Sequence, residues 1–162
     1  MAWRYDDLHA GCLEGTIGKQ RRVWVADSFS GLPNPDATFN SFGWKEGEMA
    51  VPLEEVRSNF ARYGLLDDRV IFLKGFFRDT LPKAPISALS VLRADADLYE
   101  STLDVLNSLY PKLLVGGYAV FDDYQNLAAC RRAIDEYRQI HNISDPIVKI
   151  DRRAVFWIKT VD

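Results

Sequence analysis

Four short apolar runs, dense in β-branched and aromatic residues, recur along the chain: RVWVA at 22–26, RVIFL at 69–73, ALSVLRA at 88–94 and YAVFD at 118–122. They are apolar on both faces, the pattern of strands buried inside a parallel sheet. Helical periodicity fills the intervals. Pro52 opens one pattern, Leu53, Val56 and Phe60 share a stripe, and Gly64 closes it, which predicts a helix over 52–63. A second is expected over 98–110, with Leu103, Leu106 and Tyr110 on one face, Pro111 beyond its end, and Gly116-Gly117 turning the chain into the next strand. A third carries Leu127, Cys130, Ile134, Tyr137 and His141 at spacings of three and four. Strand and helix in alternation predict a doubly wound α/β sheet, with ligands bound at the carboxyl ends of the strands.

The pattern changes after the third helix. PIVKID and AVFWIKT are strand-like and joined only through Arg152-Arg153, so they predict an antiparallel hairpin rather than another crossover. The segment from Ser28 to Ala50, with Pro33, Pro35, Gly43 and Gly47, is longer than a plain connection requires. It is either a substrate lid or an ordinary surface loop.

A length of 162 residues fits one domain spanning 1–162, and 48% apolar with 27% charged residues is a globular composition. The net charge of -3 provides no basic footprint for nucleic acid. No apolar run approaches the ~20 residues that cross a bilayer, and the first residues lack a signal-peptide layout, so the expectation is a cytoplasmic protein without a membrane partner. Cys12 and Cys130 have no metal-ligand spacing, and Cys130 is expected in the core. Trp3 and Trp44 are candidates for exposed aromatic contacts in a homo-oligomer.

The candidate chemistry lies in carboxylates. Asp95 falls at the end of the third predicted strand and Asp122-Asp123 at the end of the fourth, so both groups open on the ligand face, with Asp97 nearby. Such a cluster requires a cation, and all-oxygen ligation suits Mg2+ or Mn2+ rather than zinc. Asp97 with Glu100 also reads as a capping box for the second helix, and one of Asp122-Asp123 as a cap for the third. Asp27 ends the first strand, where an acid accepts hydrogen bonds from a nucleoside ribose. Gly75, ending RVIFLKG, either lets the backbone approach an adenine or serves an ordinary turn.

The stretches VWVADSFSGLPNPD, PLEEVRSNFARYGLLDDRVIFLKGFFRDTLP, LRADADLYESTLDVLNSLYPKLLVGGYAVFDDY and CRRAIDEYR together resemble the macrocin O-methyltransferase family, from Val23 onward. The resemblance implies a class I methyltransferase fold: a Rossmann-like, three-layer α/β architecture, mostly parallel, with an antiparallel C-terminal hairpin. It implies S-adenosylmethionine and Mg2+ as cofactors and a sugar hydroxyl of a natural-product glycoside as acceptor. It places Asp95, Asp122 and Asp123 as metal ligands and Asp27 on the cofactor ribose; Ser28 and Gly75 are further cofactor-binding candidates, and Asp95 is the candidate base.

Residues 1–21 match the family pattern poorly. The family's first strand and glycine-rich turn are expected before VWVADSF, and LEGTIGKQ has neither a buried strand nor a GxGxG turn. In the strand order 3-2-1-4-5, followed by the hairpin, that strand belongs in the middle of the sheet. The expectation is therefore a core at 22–162 that is part of a longer enzyme, pairs strands 2 and 4 directly, or is completed by a partner. Competing readings are a non-catalytic binding or oligomerisation domain, a catechol-type O-methyltransferase, and a glycosyltransferase using DAD as a DxD motif.

Overall fold

A computed structural model describes residues 21–39 and 42–161; Trp3, Cys12, the LEGTIGKQ segment and nearly all of the poorly matching N-terminal stretch lie outside the described residues. Strand β1 (Val23–Asp27) leads through the long loop to helix α1 (Leu53–Arg62) and strand β2 (Val70–Lys74). A one-turn helix α2 (Phe77–Thr80) precedes strand β3 (Leu89–Ala94), helix α3 (Tyr99–Leu109) and strand β4 (Leu113–Phe121). Helix α4 (Ala128–Ile140) then leads into the hairpin of β5 (Val148–Lys149) and β6 (Val155–Ile158). The three long helices and, apart from the early start of β4, the strands fall where the apolar periodicity put them.

Strands β1 and β2 pair in parallel, as do β3 and β4, while β6 runs antiparallel to both β4 and β5. Asp151 fixes the hairpin turn, because its Oδ1 accepts from the backbone N–H of Arg153 (2.7 Å) and Ala154 (2.8 Å). Strand β4 begins five residues before the expected YAVFD run. Gly116-Gly117 sit inside it, at a register irregularity opposite Leu89 and Val91, rather than in a turn ahead of it.

The strands form two separate sheets, β2-β1 and β3-β4-β6-β5. In class I order these are strands 3-2 and 4-5-7-6, and among the described residues no strand lies between β1 and β3. Direct pairing of strands 2 and 4, one of the expected alternatives, is not what the structure shows.

One face of the larger sheet carries the core. Ala119, Phe121 and Trp157 point into it and meet Val105 and Leu106 of α3 and Ile134 and Tyr137 of α4, all buried. The Phe121 and Trp157 rings stack 5.0 Å apart, and the Trp157 indole N–H donates to the Tyr110 hydroxyl. Cys130 lies in this core, and burial pushes its thiol up to about 12. The other face shows a cross-strand row, Val91, Tyr118 and Ile158, each well exposed.

On the smaller sheet, Phe60 of α1 meets Phe72 edge-on at 5.5 Å. At the end of β2, Gly75 donates its N–H to the Asp27 carbonyl (2.9 Å) and adopts φ +142. That φ strains any residue with a side chain, and a Cβ there would also lie 2.6 Å from the Thr80 Cγ2 methyl of α2. Gly75→Ala should therefore cost about 1–3 kcal/mol in a urea melt, with Thr80→Ser recovering part of it. An unchanged midpoint would show that the turn does not take this backbone conformation.

Candidate active site

The carboxyl ends of β3 and β4 are held together where the N–H of Asp122, one residue past β4, donates to the carbonyl of Ala94, the last residue of β3 (3.0 Å). This brings the acids after β3 against those after β4. Asp95, Asp97 and Asp123 each contribute an oxygen to a group lying within 4.8 Å of one another, with Asp123 buried and the other two half-buried. Asp122 is turned aside, its carboxylate 3.0 Å from the Arg93 guanidinium. Of the three metal ligands expected from the sequence, Asp95 and Asp123 converge and Asp122 stands in an ion pair beside them.

Asp97 is not a helix cap. The residue preceding α3 is Leu98, which makes no side-chain cap, and Asp97 itself takes φ +56, an uncommon conformation for a residue with a side chain. This left-handed step aims its carboxylate at Asp95 and Asp123. Nor does an acid cap α4, whose N-cap is Leu127; Asp123 instead accepts from the Asn126 amide at 3.0 Å.

Burial, the hydrogen bond with Asp123 and the surrounding acids push Asp95 up to about 8. Burial and the Asp123 charge push Asp97 up to about 7. Burial also raises Asp122, against the pull of Arg93. Carboxyls crowded in this way hold protons unless a cation replaces them.

The loop between β1 and α1 closes over this cluster. Leu32 and Gly47-Glu48 exchange backbone hydrogen bonds of 2.9 Å, cinching its base, and Gly31 (φ +86) has no room for a side chain against the Gly47 carbonyl. Phe39 stacks on Tyr99 at 4.3 Å, the Arg132 guanidinium lies 4.9 Å from the Phe39 ring, and Glu136 accepts from both Tyr99 and Arg132. Trp44, expected among exposed contacts, is instead half-buried against the core and stacked on Phe42. Phe39, Phe42, Trp44, Leu98 and Leu127 enclose a cavity of about 10 Å³ with Asp97 on its wall. That is room for about one water molecule. The aromatic spacing Phe39-Phe42-Trp44 was the sequence signal for this cover, and it is legible only once the loop is seen folded over the strand ends.

On the smaller sheet, Asp27 and Gly75 are neighbours at the ends of β1 and β2. Asp27 is exposed, and the N–H of Phe29 (2.5 Å) and the hydroxyl of Ser28 (3.5 Å) both meet its Oδ1. The Ser28 hydroxyl also donates to the Gly31 carbonyl (2.7 Å) and accepts from Ser30 N–H, so it shapes the loop. The space beside Gly75 holds Thr80. Among the described residues no helix is long and apolar enough to cross a membrane.

Comparison with known proteins places these features in a family. The model of Macrocin-O-methyltransferase (TylF) matches residues 7–159. The chain is 53% identical, over 86% of its length, to 8-demethyl-8-(2,3-dimethoxy-alpha-L-rhamnosyl)-tetracenomycin-C 4'-O-methyltransferase of Streptomyces olivaceus. It is 48% identical, over 94% of its length, to demethyldecarbamoylnovobiocin O-methyltransferase of Streptomyces niveus. It spans 56% and 61% of those two relatives. Among solved structures, the O-methyltransferase NovP aligns with a TM-score of 0.80 at 48% identity, covering 88% of this chain and 62% of NovP. With this coverage, and with strand ends and hairpin arranged in class I order, the chain belongs to the macrocin O-methyltransferase family.

Proposed function

We propose that the chain forms the acceptor-activating part of an S-adenosylmethionine-dependent O-methyltransferase, acting as one domain, that methylates a sugar hydroxyl of a natural-product glycoside. The observation that carries this reading is the convergence of Asp95, Asp97 and Asp123 beneath an aromatic loop in a chain of this family. The relatives' names, a rhamnosyl-tetracenomycin methyltransferase among them, support the sugar acceptor.

The donor set fits a hard divalent cation: three carboxylates within 4.8 Å, two of them with pKa values raised by burial and mutual repulsion. Asp95 and Asp123 would hold Mg2+, with Asp122 joining if it leaves Arg93. The cation, when bound, supplies a lowered pKa for an acceptor hydroxyl. Asp97 is the member of the trio that lines the cavity under Phe39 and Trp44. An Asp97 carboxylate oxygen is thus placed to take the hydroxyl proton, the role the sequence suggested for Asp95. Phe39, Phe42 and Trp44 cover the Asp97 side of the cluster and limit solvent to about one water molecule there.

S-adenosylmethionine, when bound, supplies an activated methyl group. Asp27 would accept from its ribose hydroxyls at the end of β1, with Ser28 holding the following turn and Gly75 the adjacent strand end. A DxD glycosyltransferase reading leaves Asp123 without a task, whereas here it contacts both other acids.

A chimera tests the reading. With residues 23–159 replacing the corresponding part of the novobiocin relative, methyl transfer from labelled S-adenosylmethionine to that relative's acceptor should need a divalent cation. Asp97→Asn should lower its rate by at least about 100-fold. Transfer that survives both EDTA and Asp97→Asn would remove the cluster from the chemistry, and a folded chimera without any transfer would favour the binding-module reading.

A further inference from the structure

The cover over Asp97 fits tightly. Its cavity of about 10 Å³ holds about one water molecule, whereas sites for small molecules occupy about 300–1,000 Å³. As seated, the cover admits water to Asp97 and keeps out a hydroxyl carried on a sugar ring. An acceptor reaches Asp97 from this side only after the loop has moved, so whatever holds the loop down governs access.

Phe39 meets both α3 and α4. Its ring stacks on Tyr99 of α3 at 4.3 Å, 15° from parallel, and the Arg132 guanidinium of α4 lies 4.9 Å from it and 6.0 Å from the Tyr99 ring. Both of these groups are aimed by a third. The Tyr99 hydroxyl donates to Oε2 of Glu136 (2.5 Å), and Arg132 Nε donates to its Oε1 (2.7 Å). One carboxylate, with an oxygen for each, therefore sets the positions of the two groups that grip Phe39. A stacked pair and an exposed cation–π contact together favour the closed cover by roughly 5- to 70-fold. That is enough to keep the loop down and small enough for a ligand to reverse. Gly43 supplies a pivot: it takes φ +69 with nothing within 4 Å of where a Cβ would stand, and it separates Phe42 from Trp44, which packs against the core.

We infer that Glu136 is a positioning residue that latches the cover: by holding Tyr99 and Arg132 against Phe39, it sets the fraction of molecules in which Asp97 is open to an acceptor. The inference rests on the methyltransferase reading for what enters, and the latch itself is independent of that reading.

Fluorine NMR of the full chain labelled with 4-fluorophenylalanine tests the latch without cation, cofactor or acceptor. The Phe39 resonance, assigned by its loss in Phe39→Leu, should stand apart from that of the free amino acid and be protected from a soluble gadolinium chelate. Glu136→Ala should raise the open fraction, read from the shift toward the free value, by about fivefold. Glu136→Gln, which keeps one acceptor oxygen, should raise it by about twofold. Tyr99→Phe added to Glu136→Ala should change nothing more, because both remove the same tie. The resonance of Phe121, buried in the core, should stay in place throughout. A free-like Phe39 resonance in the unaltered chain, or one indifferent to Glu136→Ala and Glu136→Gln, overturns the latch. A Phe121 resonance that moves together with Phe39 also overturns it, since Glu136 would then serve the packing of α4 at large. In the chimera, the acceptor KM should fall in Glu136→Ala by the factor by which the open fraction rises. An unchanged or higher KM overturns the control of access. A chimera without transfer counts against the methyltransferase reading instead, and the fluorine spectra still decide the latch.

Discussion

In EDTA, the melting temperature of this chain should fall as pH rises from about 5.5 to 8, by roughly 5–10 °C, and millimolar Mg2+ or Mn2+ should reverse the fall at pH 8. The sign follows from proton counts. Asp95 and Asp97 have folded-state pKa values raised to about 8 and about 7, first of all by burial. Between about pH 4 and 8 the folded chain thus binds more protons than the unfolded one. Stability then declines with pH, by about 1.4 kcal/mol per pH unit for each extra proton. Above the folded pKa values the loss is complete. Asp67, bonded to Arg69, and Glu136, bonded to Tyr99 and Arg132, have lowered pKa values and pull the other way only below about pH 5, outside the range of the measurement. Solvent screening keeps their contribution small. Asp95→Asn should flatten the profile and abolish the rescue by cation. A flat profile in the unaltered chain would mean that the three carboxylates do not crowd as they are placed here.

The second large effect concerns the other cofactor. Calorimetric titration of the isolated chain with S-adenosylmethionine should show no binding tighter than about 100 µM. The ends of β1 and β2 provide Asp27 and the turn at Gly75, which serve the nucleoside half of the ligand. Its methionine half needs a floor between β1 and β3, and among the described residues no strand or glycine-rich turn occupies that place. Among the described residues β1 pairs only with β2 and β3 only with β4, so no ladder joins the two sheets there. Micromolar affinity in this chain would show that the seam is filled by some other means, and the proposed division of labour between the two sheets would have to be abandoned.

The fold was legible in the sequence because its signals are local. Proline before α1, glycine after it, the three-and-four stripe of α4 and the double-sided apolarity of the strands each read out one element without the rest. The hairpin was equally plain, with Asp151 and two arginines between two apolar runs. Strand β4 was read short because Leu114 and Val115 precede a glycine pair, and glycines inside a bulge look like a turn when the partner strand is out of view. The acid cluster was legible as a set of candidates and not as a geometry. Whether Asp97 caps a helix or faces Asp123 depends on one backbone angle, φ +56, which no pattern of residue types encodes for an aspartate. Whether Asp122 joins the group depends on Arg93, two residues back on the neighbouring strand end. The covering aromatics and Asn126 were missed for the same reason: they act across chain separations that only the folded loop and helix bring together.

The central claim is that the acid cluster at the ends of β3 and β4 holds one divalent cation on Asp95 and Asp123, with Asp97 beside it. Electron paramagnetic resonance of Mn2+ titrated into the full chain at pH 7.5 tests it most directly. The account predicts a single saturable site, displaced by Mg2+, lost in Asp95→Asn and in Asp123→Asn, and retained in Asp135→Asn on α4. Free Mn2+ signal throughout the titration, or a bound signal indifferent to Asp95→Asn and Asp123→Asn, would contradict it.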